Sequence, residues 1–506
     1  MTKLANSNAM WWIFAICIVI VYFYGLNMPL VGPDEPRYAQ VAREMFERGD
    51  WISPTLGGFD WFEKPALLYW LEIVGYKLFG INEFAARFGS ALFGLGTVAS
   101  MWVFARYSNF RSEKTESVEF ANWLALIAAT TLGILVFAHG ASFDIIVTFP
   151  LTASLVGFFV SDRALLDQKR QKTLGLVAFY LFAGLAVLAK GLIGIIFPFA
   201  TVFVYFVFSR RWPSKQFLFS LVWGTCLLIA VAAVWNLPMY LRHGWKFIDE
   251  FYIQHHFQRY TSNKYQHPQP FYFYFWVLPL MALPWLPFFF ASVWRWTKEL
   301  FNRKNTETPN PEANIRPLQL FTLAWVAVPL LFFSISGSKL PGYILPALPG
   351  AVALTGIYVF EFARRSAKRC ALVFTVASVM LIAVLVLVTF IVPKYADRES
   401  VKRLVEAADN AGYTSSKVVN FQNTSHNAEF YAAGRLVRET DGKQKRFDDP
   451  KELATYVSNS EAPVLVLTPT EKAVSLTGDK CFLANPIADN GDLAILTLLK
   501  PSVPCS

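Results

Sequence analysis

Charged residues are scarce in this chain of 506 residues. Asp, Glu, Lys and Arg together make up 16% of it, whereas hydrophobic residues make up 55%. Soluble globular chains carry about 25% charged residues, so the composition excludes an ordinary soluble enzyme of two or three domains. It also excludes an intrinsically disordered protein, which combines low hydrophobicity with high charge.

Cysteine is also rare, with five residues and no CxxC spacing of the kind that binds a metal. Cys17, Cys226 and Cys370 lie in or beside apolar runs, where a thiol behaves as a small hydrophobic side chain. Cys481 and Cys505 fall in the final segment, and we predict a disulfide between them. The sequence contains no internal repeats or low-complexity tracts.

Long apolar runs are abundant. A helix needs about 20 mostly apolar residues to cross the hydrocarbon core of a bilayer, and eleven runs reach or approach that length. They cover residues 11–31, 84–104, 120–138, 145–160, 174–188, 192–208, 217–239, 271–294, 318–333, 343–360 and 370–392. The runs predict a mainly α-helical, polytopic integral membrane protein with about 11–13 transmembrane helices.

Positive charge is concentrated in five loops between these runs. The loops at 105–118, 162–173, 209–216, 295–317 and 361–369 hold nineteen Lys and Arg. The positive-inside rule places them in the cytoplasm, so the net charge of +10 indicates topology and gives no support to a nucleic-acid partner. Residues 32–83, residues 241–270 and the segment after 393 then face outside.

The segment 393–506 differs in composition, with frequent charges and short apolar runs. We predict a small α/β domain there, separate from a transmembrane domain at 1–392. The spacing of Leu404, Val405 and Ala408 predicts a helix, and short buried strands are predicted at 417–421, 463–467 and 493–499.

The first external stretch opens with Asp34, which precedes Pro36 by two residues. A proline in the first turn and acids at the N-terminus are typical of a helix start. The apolar spacing of Val41 and Met45 predicts an amphipathic helix lying on the membrane surface.

Asp34 and Lys64 each lie beside a proline, in a loop too long to be a simple connector. We therefore favour a functional role for both. The alternative, charges that cap helices and anchor lipid headgroups, is favoured for Arg43, Glu44 and Arg48, because solvated surface charge is the common case.

The second external stretch carries four of the six histidines, His243, His255, His256 and His267, together with Arg259. Cations of this kind suit a phosphate, and the neighbouring tyrosines offer aromatic faces to a sugar or prenyl group. A histidine pair with Glu63 offers ligands for a divalent metal, although the spacing is not a recognised zinc pattern.

Asp144, Lys190 and Lys339 are isolated ionisable residues at the outer ends of spans. Such groups are costly there and mark functional sites; for Asp144 the alternative is a helix cap. Carboxylates orient or deprotonate a hydroxyl, and cations neutralise a phosphate leaving group. We therefore expect an external site for a sugar carried on a lipid phosphate. A transporter or flippase, the alternative of a different class, would place such groups at mid-span in matched halves.

Several motifs resemble the bacterial aminoarabinose transferase family. That family belongs to the polyprenyl-phosphate-dependent GT-C glycosyltransferases, which also include the protein O-mannosyltransferases. The motifs are PDEPRYA at 33–39, FEKP at 62–65, NEFAARF at 82–88, HHFQRY at 255–260 and KLPGYILP at 339–346. The resemblance covers essentially residues 11–392 and implies the GT-C fold. Where the family usually shows an H-E-H-type run, this chain has Gln254-His255-His256.

The resemblance also implies roles for single residues. It implies catalytic roles for Asp34, Asp144 and Glu63, and carrier-phosphate binding by Lys64, Arg259 and Tyr343. Sugar or acceptor contacts are expected from Glu35, Arg37, Tyr38, Tyr69, Tyr260 and Lys339. The one cofactor considered is a divalent metal on His255, His256 and Glu63.

The implied activity is an inverting transfer of a monosaccharide, aminoarabinose or another sugar, from undecaprenyl phosphate to a lipid acceptor such as lipid A. It would take place at the periplasmic face of the bacterial inner membrane. The alternative within the superfamily is transfer to a protein Ser or Thr. We expect a monomer that contacts membrane lipids and binds no nucleic acid.

Overall fold

A computed structural model describes residues 8–108, 113–165, 167–261, 268–301, 315–478 and 483–500. Cys481, Cys505 and His267 lie outside these ranges, and so does the predicted disulfide. The chain divides into two compact units. The first unit comprises Met1–Tyr24, Phe62–Leu68 and Arg87–Leu385, and the second comprises Gly25–Trp61, Tyr69–Ala86 and Val386–Ser506.

Helices make up most of the chain. Up to residue 261 they are α1 (Asn8–Phe23), α2 (Asp34–Arg48), α3 (Leu67–Phe79), α4 (Glu83–Arg106), α5 (Lys114–Ala129), α6 (Leu132–Ala138), α7 (Phe143–Arg163), α8 (Lys169–Lys190), α9 (Ile193–Ser209), α10 (Lys215–His243), α11 (Trp245–Phe247), a π-helix (Ile248–Gln258) and α12 (Arg259–Thr261). From residue 268 onward they are α13 (Phe273–Met281), α14 (Leu286–Phe301), α15 (Ile315–Ile335), a 3-10 helix (Pro341–Ala347), α16 (Leu348–Arg364), α17 (Ala367–Val386), a second π-helix (Leu387–Ile391), α18 (Val392–Glu399), α19 (Lys402–Asn410), α20 (Ala428–Tyr431), α21 (Pro450–Ser458) and α22 (Thr470–Thr477).

The long apolar helices confirm a multi-pass membrane protein. Among the described residues, seven helices are long and apolar enough to span a bilayer, and two bent pairs, α5–α6 and α13–α14, raise the number to nine. The shorter α1 and α9 are apolar as well, so each of the eleven predicted runs coincides with an apolar helix or a bent pair. The first run was predicted too long: α1 ends at Phe23, and Gly25 then takes a φ of +77° that turns the chain.

Helix α7 is one of the two most buried long helices among the described residues of the first unit, and Asp144 lies at its N-terminus. It packs closely against α8, because a Cβ added at Gly157 would lie 2.7 Å from the carbonyl oxygen of Gly175. Small residues allow helices in membranes to approach in this way. Since α7 and α8 are consecutive and packed along their length, Asp144 at the start of α7 and Lys190 at the end of α8 lie at the same end of the pair.

The second unit contains a mixed five-stranded sheet in the order β4-β3-β5-β7-β6. Its strands are β3 (Val418–Phe421), β4 (Arg446–Phe447), β5 (Val464–Pro469), β6 (Leu483–Asp489) and β7 (Leu493–Leu499), and a short hairpin pairs β1 (Thr55–Leu56) with β2 (Phe59–Asp60). β3 is parallel to β4 and β5, whereas β7 is antiparallel to β5 and β6. The helix at 402–410 and the three predicted strands are confirmed.

Alternate side chains of the sheet enter two separate cores. Val418 and Ile495 pack with α19 and α20, whereas Val419 and Leu498 pack with α21 and α22. This alternation is the period of two expected of strands covered on both faces. The segment from 386 onward forms this unit together with two parts of the first external stretch, and the predicted boundary at residue 392 stays a prediction.

Helix α2 is amphipathic, but its apolar side chains are not on the membrane surface as predicted. Val41 and Met45 are fully buried inside the protein, because α2 packs against α20 and β1 within the second unit. On the opposite face, Arg43 and Glu47 form an exposed ion pair.

Candidate active site

The short segment between α2 and α3 places two oppositely charged side chains together in the first unit. The Glu63 Oε1 atom accepts a hydrogen bond from Lys64 Nζ at 2.6 Å and another from Arg259 Nη1 at 3.0 Å. The side chains of all three residues are at most 18% exposed. One carboxylate therefore holds two cations that come from segments nearly 200 residues apart.

Arg259 also contacts Tyr343, which links the two cations to the 3-10 helix that precedes α16. Arg259 Nε donates to the Tyr343 hydroxyl at 3.0 Å. The ring of Tyr343 has Lys190 Nζ 4.7 Å from its centre, a distance at which a cation is attracted to an aromatic face. Tyr343 therefore contacts cations from two different elements, one through its hydroxyl and one through its ring.

Asp144 and Lys190 form a second ion pair in the same region. The Ser142 hydroxyl accepts from Asp144 N at 3.1 Å and caps α7. The positive end of α7 favours the carboxylate, and the negative end of α8 favours the ammonium group. A Cβ at Gly342 would overlap the Asp144 carboxylate, so the KLPGYILP segment needs glycine at this position to approach Asp144.

These pairs join three cations to two carboxylates. Lys64, Arg259 and Lys190 face the carboxylates of Glu63 and Asp144. Burial alone would raise the pKa of Glu63, but the charges of Lys64 and Arg259 outweigh it and hold this pKa well below its usual range. Burial lowers the pKa of His255 to about 4 despite the opposing charge of Glu63, so His255 is neutral near pH 7. A cluster of this kind attracts an anion, and its guanidinium and ammonium groups suit a phosphate.

Two of the predicted metal ligands, His256 and Glu63, contact groups of the protein itself. His256 Nδ1 lies 2.7 Å from the carbonyl oxygen of Phe251, and Nε2 lies 3.4 Å from that of Lys190. Glu63 is held by Lys64 and Arg259. Within the described ranges, no three His, Cys, Asp or Glu side chains are grouped to hold a metal. We derive no step through a divalent ion, and the predicted metal stays a prediction.

Tyr260 and Lys339 make other contacts in the first unit. The Tyr260 hydroxyl donates to the Phe332 carbonyl at 3.2 Å, and its own carbonyl accepts from Gly337 N at 2.9 Å. Lys339 is buried, with Nζ 2.6 Å from the Ser336 carbonyl. Both residues hold the chain between α15 and the 3-10 helix.

The remaining predicted site residues belong to the second unit. Asp34 pairs with Arg37 at 2.5 Å, and its side chain is 50% exposed. Glu35 Oε2 accepts from Val31 N at 3.0 Å. Tyr38 is buried, with its ring 6.5 Å edge-on from that of Tyr69. The structure thus brings the predicted residues together in two groups, one in each unit.

Two residues of interest have no specific role predicted from the sequence, Lys190 and Glu72. Lys190 was recognised as an isolated cation, but its partner lies 46 positions away. Glu72 is the only acid within the apolar run of α3 and is fully buried. Neither of its carboxyl oxygens has a hydrogen-bond partner in the described part of the chain. Burial and then the charge of Glu35 raise the pKa of Glu72 well above its usual value.

Comparison with known proteins finds related glycosyltransferases. The family model described as dolichyl-phosphate-mannose-protein mannosyltransferase matches residues 10–250. An undecaprenyl phosphate-alpha-4-amino-4-deoxy-L-arabinose arabinosyl transferase of Serratia proteamaculans is 29% identical over 84% of this chain and 74% of the relative. The protein of the same name from Aeromonas salmonicida is 30% identical over 71% of this chain, which spans only 61% of that relative.

Solved structures show the same fold. The crystal structure of ArnT from Cupriavidus metallidurans bound to undecaprenyl phosphate superposes with a TM-score of 0.77 at 21% identity, covering 97% of this chain and 98% of the other. The oligosaccharyltransferase of Archaeoglobus fulgidus gives a TM-score of 0.52 at 12% identity, covering 92% and 70%. Motifs, relatives and fold agree, and the chain belongs to the aminoarabinose transferase-like family of polyprenyl-phosphate-dependent GT-C glycosyltransferases.

Proposed function

We propose that this protein transfers a monosaccharide from undecaprenyl phosphate to a lipid acceptor such as lipid A. The transfer would occur with inversion at the periplasmic face of the bacterial inner membrane. The observation that carries the proposal is the cluster of Lys64, Arg259 and Lys190 around Glu63, Asp144 and Tyr343. The similarity to transferases named for an undecaprenyl phosphate donor supports it.

The cations would act on the carrier phosphate. In the reaction the bond between the anomeric carbon and the phosphate oxygen breaks, and its electron pair stays on the phosphate. Lys64 and Arg259 would neutralise this developing charge, with the Tyr343 hydroxyl holding Arg259 in place. Lys190 would add a third cation. Glu63 would orient the two cations that it binds, since a carboxylate so paired is a weak base.

Asp34 would act on the acceptor or on the sugar. If the acceptor is a phosphate of lipid A, that phosphate is already a nucleophile, and Asp34 would orient it or stabilise positive charge at the anomeric carbon. If the acceptor is a hydroxyl, Asp34 would take its proton as the new bond forms on the opposite face of the sugar. The roles of Glu35, Arg37, Tyr38, Tyr69, Tyr260 and Lys339 in sugar or acceptor binding stay predictions, as does a catalytic role for Asp144. One chain would suffice, because it supplies every residue of both groups.

The test is sugar transfer by purified protein in nanodiscs, with a labelled undecaprenyl-phosphate sugar. We expect Lys64→Ala and Asp34→Asn each to lower turnover by about 100-fold or more. Lys443→Ala removes an exposed lysine of the second unit and should leave turnover unchanged. Wild-type turnover in both site variants would overturn the proposal. Repeating the assay with a metal chelator tests whether turnover depends on the predicted ion at His255, His256 and Glu63.

Transfer to a protein Ser or Thr is the second candidate. It is favoured by one observation, the match of residues 10–250 to a family model named for protein mannosyltransferases. Mass spectrometry of lipids and envelope proteins from cells with and without the gene separates the two. A sugar missing from a glycolipid supports the lipid acceptor, whereas one missing from Ser or Thr peptides supports the protein acceptor.

A further inference from the structure

The last long helical segment extends well past the bilayer. It runs without a break from Ala367 to Glu399, which is 33 residues, or about 50 Å at 1.5 Å per residue. The hydrocarbon core is only about 30 Å thick. Residues 371–392 carry no charge and are sufficient to cross it. The following residues, Lys394 to Glu399, therefore lie within a turn or two of the hydrocarbon boundary.

Exposed side chains around this point indicate the membrane interface. Phe390 is 63% exposed and Tyr395 is 62% exposed. Large apolar and aromatic side chains with this exposure are unusual on a water-facing helix, but tyrosine is enriched at the headgroup level of membranes. The Tyr395 hydroxyl hydrogen bonds to Glu399 one turn further on, so its polar end points away from the apolar run.

A cavity of about 700 Å³ opens beside α18. Its lining comes from α18, α19 and the end of β6, all within the second unit, and it includes Lys394, Arg398, Arg403, Asp397, Asp489 and Asn490. Its volume lies in the range of small-molecule pockets, about 300–1,000 Å³. Asn490 Nδ2 donates to the carbonyl oxygens of Ser400, at 3.0 Å, and Asp397, which ties the end of β6 to the end of α18 and fixes the cavity wall.

The charged residues of the cavity wall are three cations and two carboxylates, so the wall carries a net charge of +1. Asp397 pairs with Arg403 at 2.6 Å, and Asp489 accepts from Gly491 N at 3.2 Å. Lys394 and Arg398 form no ion pair with any described residue. They are four positions apart on one helix, so their side chains lie on the same face, one turn apart.

We propose that this cavity binds the phosphate of an anionic lipid headgroup, with Lys394 and Arg398 as its ligands. Guanidinium and ammonium groups are the usual partners of a lipid phosphate. The position just beyond the hydrocarbon boundary matches the depth of a headgroup, and the exposed Phe390 lies where the acyl chains would pass. This site shares no residue with the cluster around Glu63 and does not depend on the proposed transferase activity.

The test uses the full chain with a photoreactive phenylalanine analogue in place of Tyr395. The protein is placed in nanodiscs of phosphatidylcholine containing a minor share of phosphatidylglycerol, illuminated and analysed by mass spectrometry. We expect phosphatidylglycerol to be crosslinked far above its share of the lipid. Adding K394Q and R398Q should weaken this preference by roughly 30-fold, since each cation near an anionic surface contributes about fivefold in affinity.

A matched control variant loses two positive charges elsewhere in the same unit. K451Q with K472Q removes two exposed lysines of the same unit and should keep the preference. Crosslinking in proportion to lipid content, or equal loss in the two double variants, would overturn the proposal by showing that the cations are only solvated. Inorganic phosphate at millimolar concentration should not displace the lipid, and displacement would overturn the assignment to a lipid-borne phosphate.

Discussion

Tyr343 contacts two cations of the charged cluster, Arg259 through its hydroxyl and Lys190 through its ring. Tyr343→Phe keeps the ring but removes the hydroxyl that accepts from Arg259 Nε. A hydrogen bond to a charged group contributes about 1.5–3 kcal/mol, so we expect kcat/KM for the lipid-linked donor to fall by about 10- to 100-fold. The measurement is steady-state transfer at varied donor concentration.

Tyr358→Phe is the control for this change. Tyr358 lies on α16, the helix that follows the 3-10 helix of Tyr343, and it packs among Phe288 and Phe362. Loss of its hydroxyl should leave kcat/KM unaltered. A Tyr343→Phe enzyme with unaltered kcat/KM would contradict the role of the hydroxyl in holding Arg259.

His255 makes stability depend on pH. An unfolded histidine titrates near about pH 6.5, whereas burial lowers the pKa of His255 in the folded protein to about 4. Between these values the unfolded chain binds one more proton, so stability falls as the pH decreases. We expect the thermal midpoint of the wild type to fall more steeply than that of His255→Gln between about pH 7 and pH 5.

Differential scanning fluorimetry in detergent measures both slopes. The pKa of Glu63 is also lowered in the folded state, and its contribution is present above the pKa of an unfolded glutamate and lost at lower pH. Keeping the comparison above about pH 5 separates the two groups. Parallel slopes would show that His255 is not buried in its neutral form.

Single residues of the site were predictable where they were chemically isolated. Asp144 stands out because few charges interrupt the apolar run around it, and Lys64 stands out because it lies beside a proline in a loop too long to be a simple connector. Their partners were not predictable, because Arg259 meets Glu63 across 196 positions and Lys190 meets Asp144 across 46. Such pairings follow from helix packing, which the local pattern does not specify.

The loop that joins α8 to α9 depends on one glycine. Gly191 has φ +67° and ψ −137°, a conformation that only glycine readily adopts, and a Cβ there would overlap the His256 ring. Gly191→Ala should therefore destabilise the protein by about 1–3 kcal/mol through backbone strain. It should also displace the π-helix that carries His255 and leads into Arg259, with a loss of transfer activity.

Gly244 provides a closely matched control. It has φ +57° and ψ −136° at the end of α10, with nothing within 4 Å of an added Cβ. Gly244→Ala should show a similar decrease in thermal midpoint but keep its activity per folded molecule. Equal activity losses in the two variants would show that strain alone, and not contact with His256, explains the effect.

At the level of elements, apolar length predicted which helices exist but not where they break. The bend of 60° between α5 and α6 and the bend of 119° between α13 and α14 lie inside runs that read as continuous. The π-helix at Ile248–Gln258 had no signal in the sequence either. The apolar face of α2 was predicted correctly but its partner was not, because an amphipathic helix looks the same beside a membrane and beside a protein core.

The second unit is assembled from distant parts of the chain. The Tyr431 hydroxyl accepts from Leu30 N at 2.7 Å and donates to Glu83 Oε1 at 3.1 Å, and Lys402 pairs with the same Glu83 oxygen at 2.7 Å. Tyr431→Phe would leave the buried amide of Leu30 without this partner, at a cost of about 1–3 kcal/mol. We expect cleavage by trypsin in the 25–61 segment to become about tenfold faster, as measured by limited proteolysis.

Tyr456→Phe tests whether this effect is specific. Tyr456 packs on Phe447 at the far side of the same sheet, and its loss of a hydroxyl should not change cleavage within 25–61. Unchanged proteolysis of Tyr431→Phe would mean that the other contacts of the unit hold this segment in place.

At the level of the whole molecule, the sequence predicted a membrane protein with a small α/β domain, and the fold agrees. It did not predict that the first external stretch packs with that domain. No local pattern in the stretch distinguishes a protein partner from a lipid surface, and the partner residues lie hundreds of positions away.

The hydrogen bond between Leu30 and Tyr431 can form only late in synthesis of the chain. The two residues are 401 positions apart, and a ribosome adds about 5–20 residues per second. The segment that carries Asp34 therefore waits roughly 20–80 s for its partner to be made. An incomplete chain inserted in the membrane would hold Lys64 and Arg259 at Glu63 without a finished Asp34 segment. On the role proposed for Asp34, catalytic competence would therefore arrive only with the last part of the polypeptide.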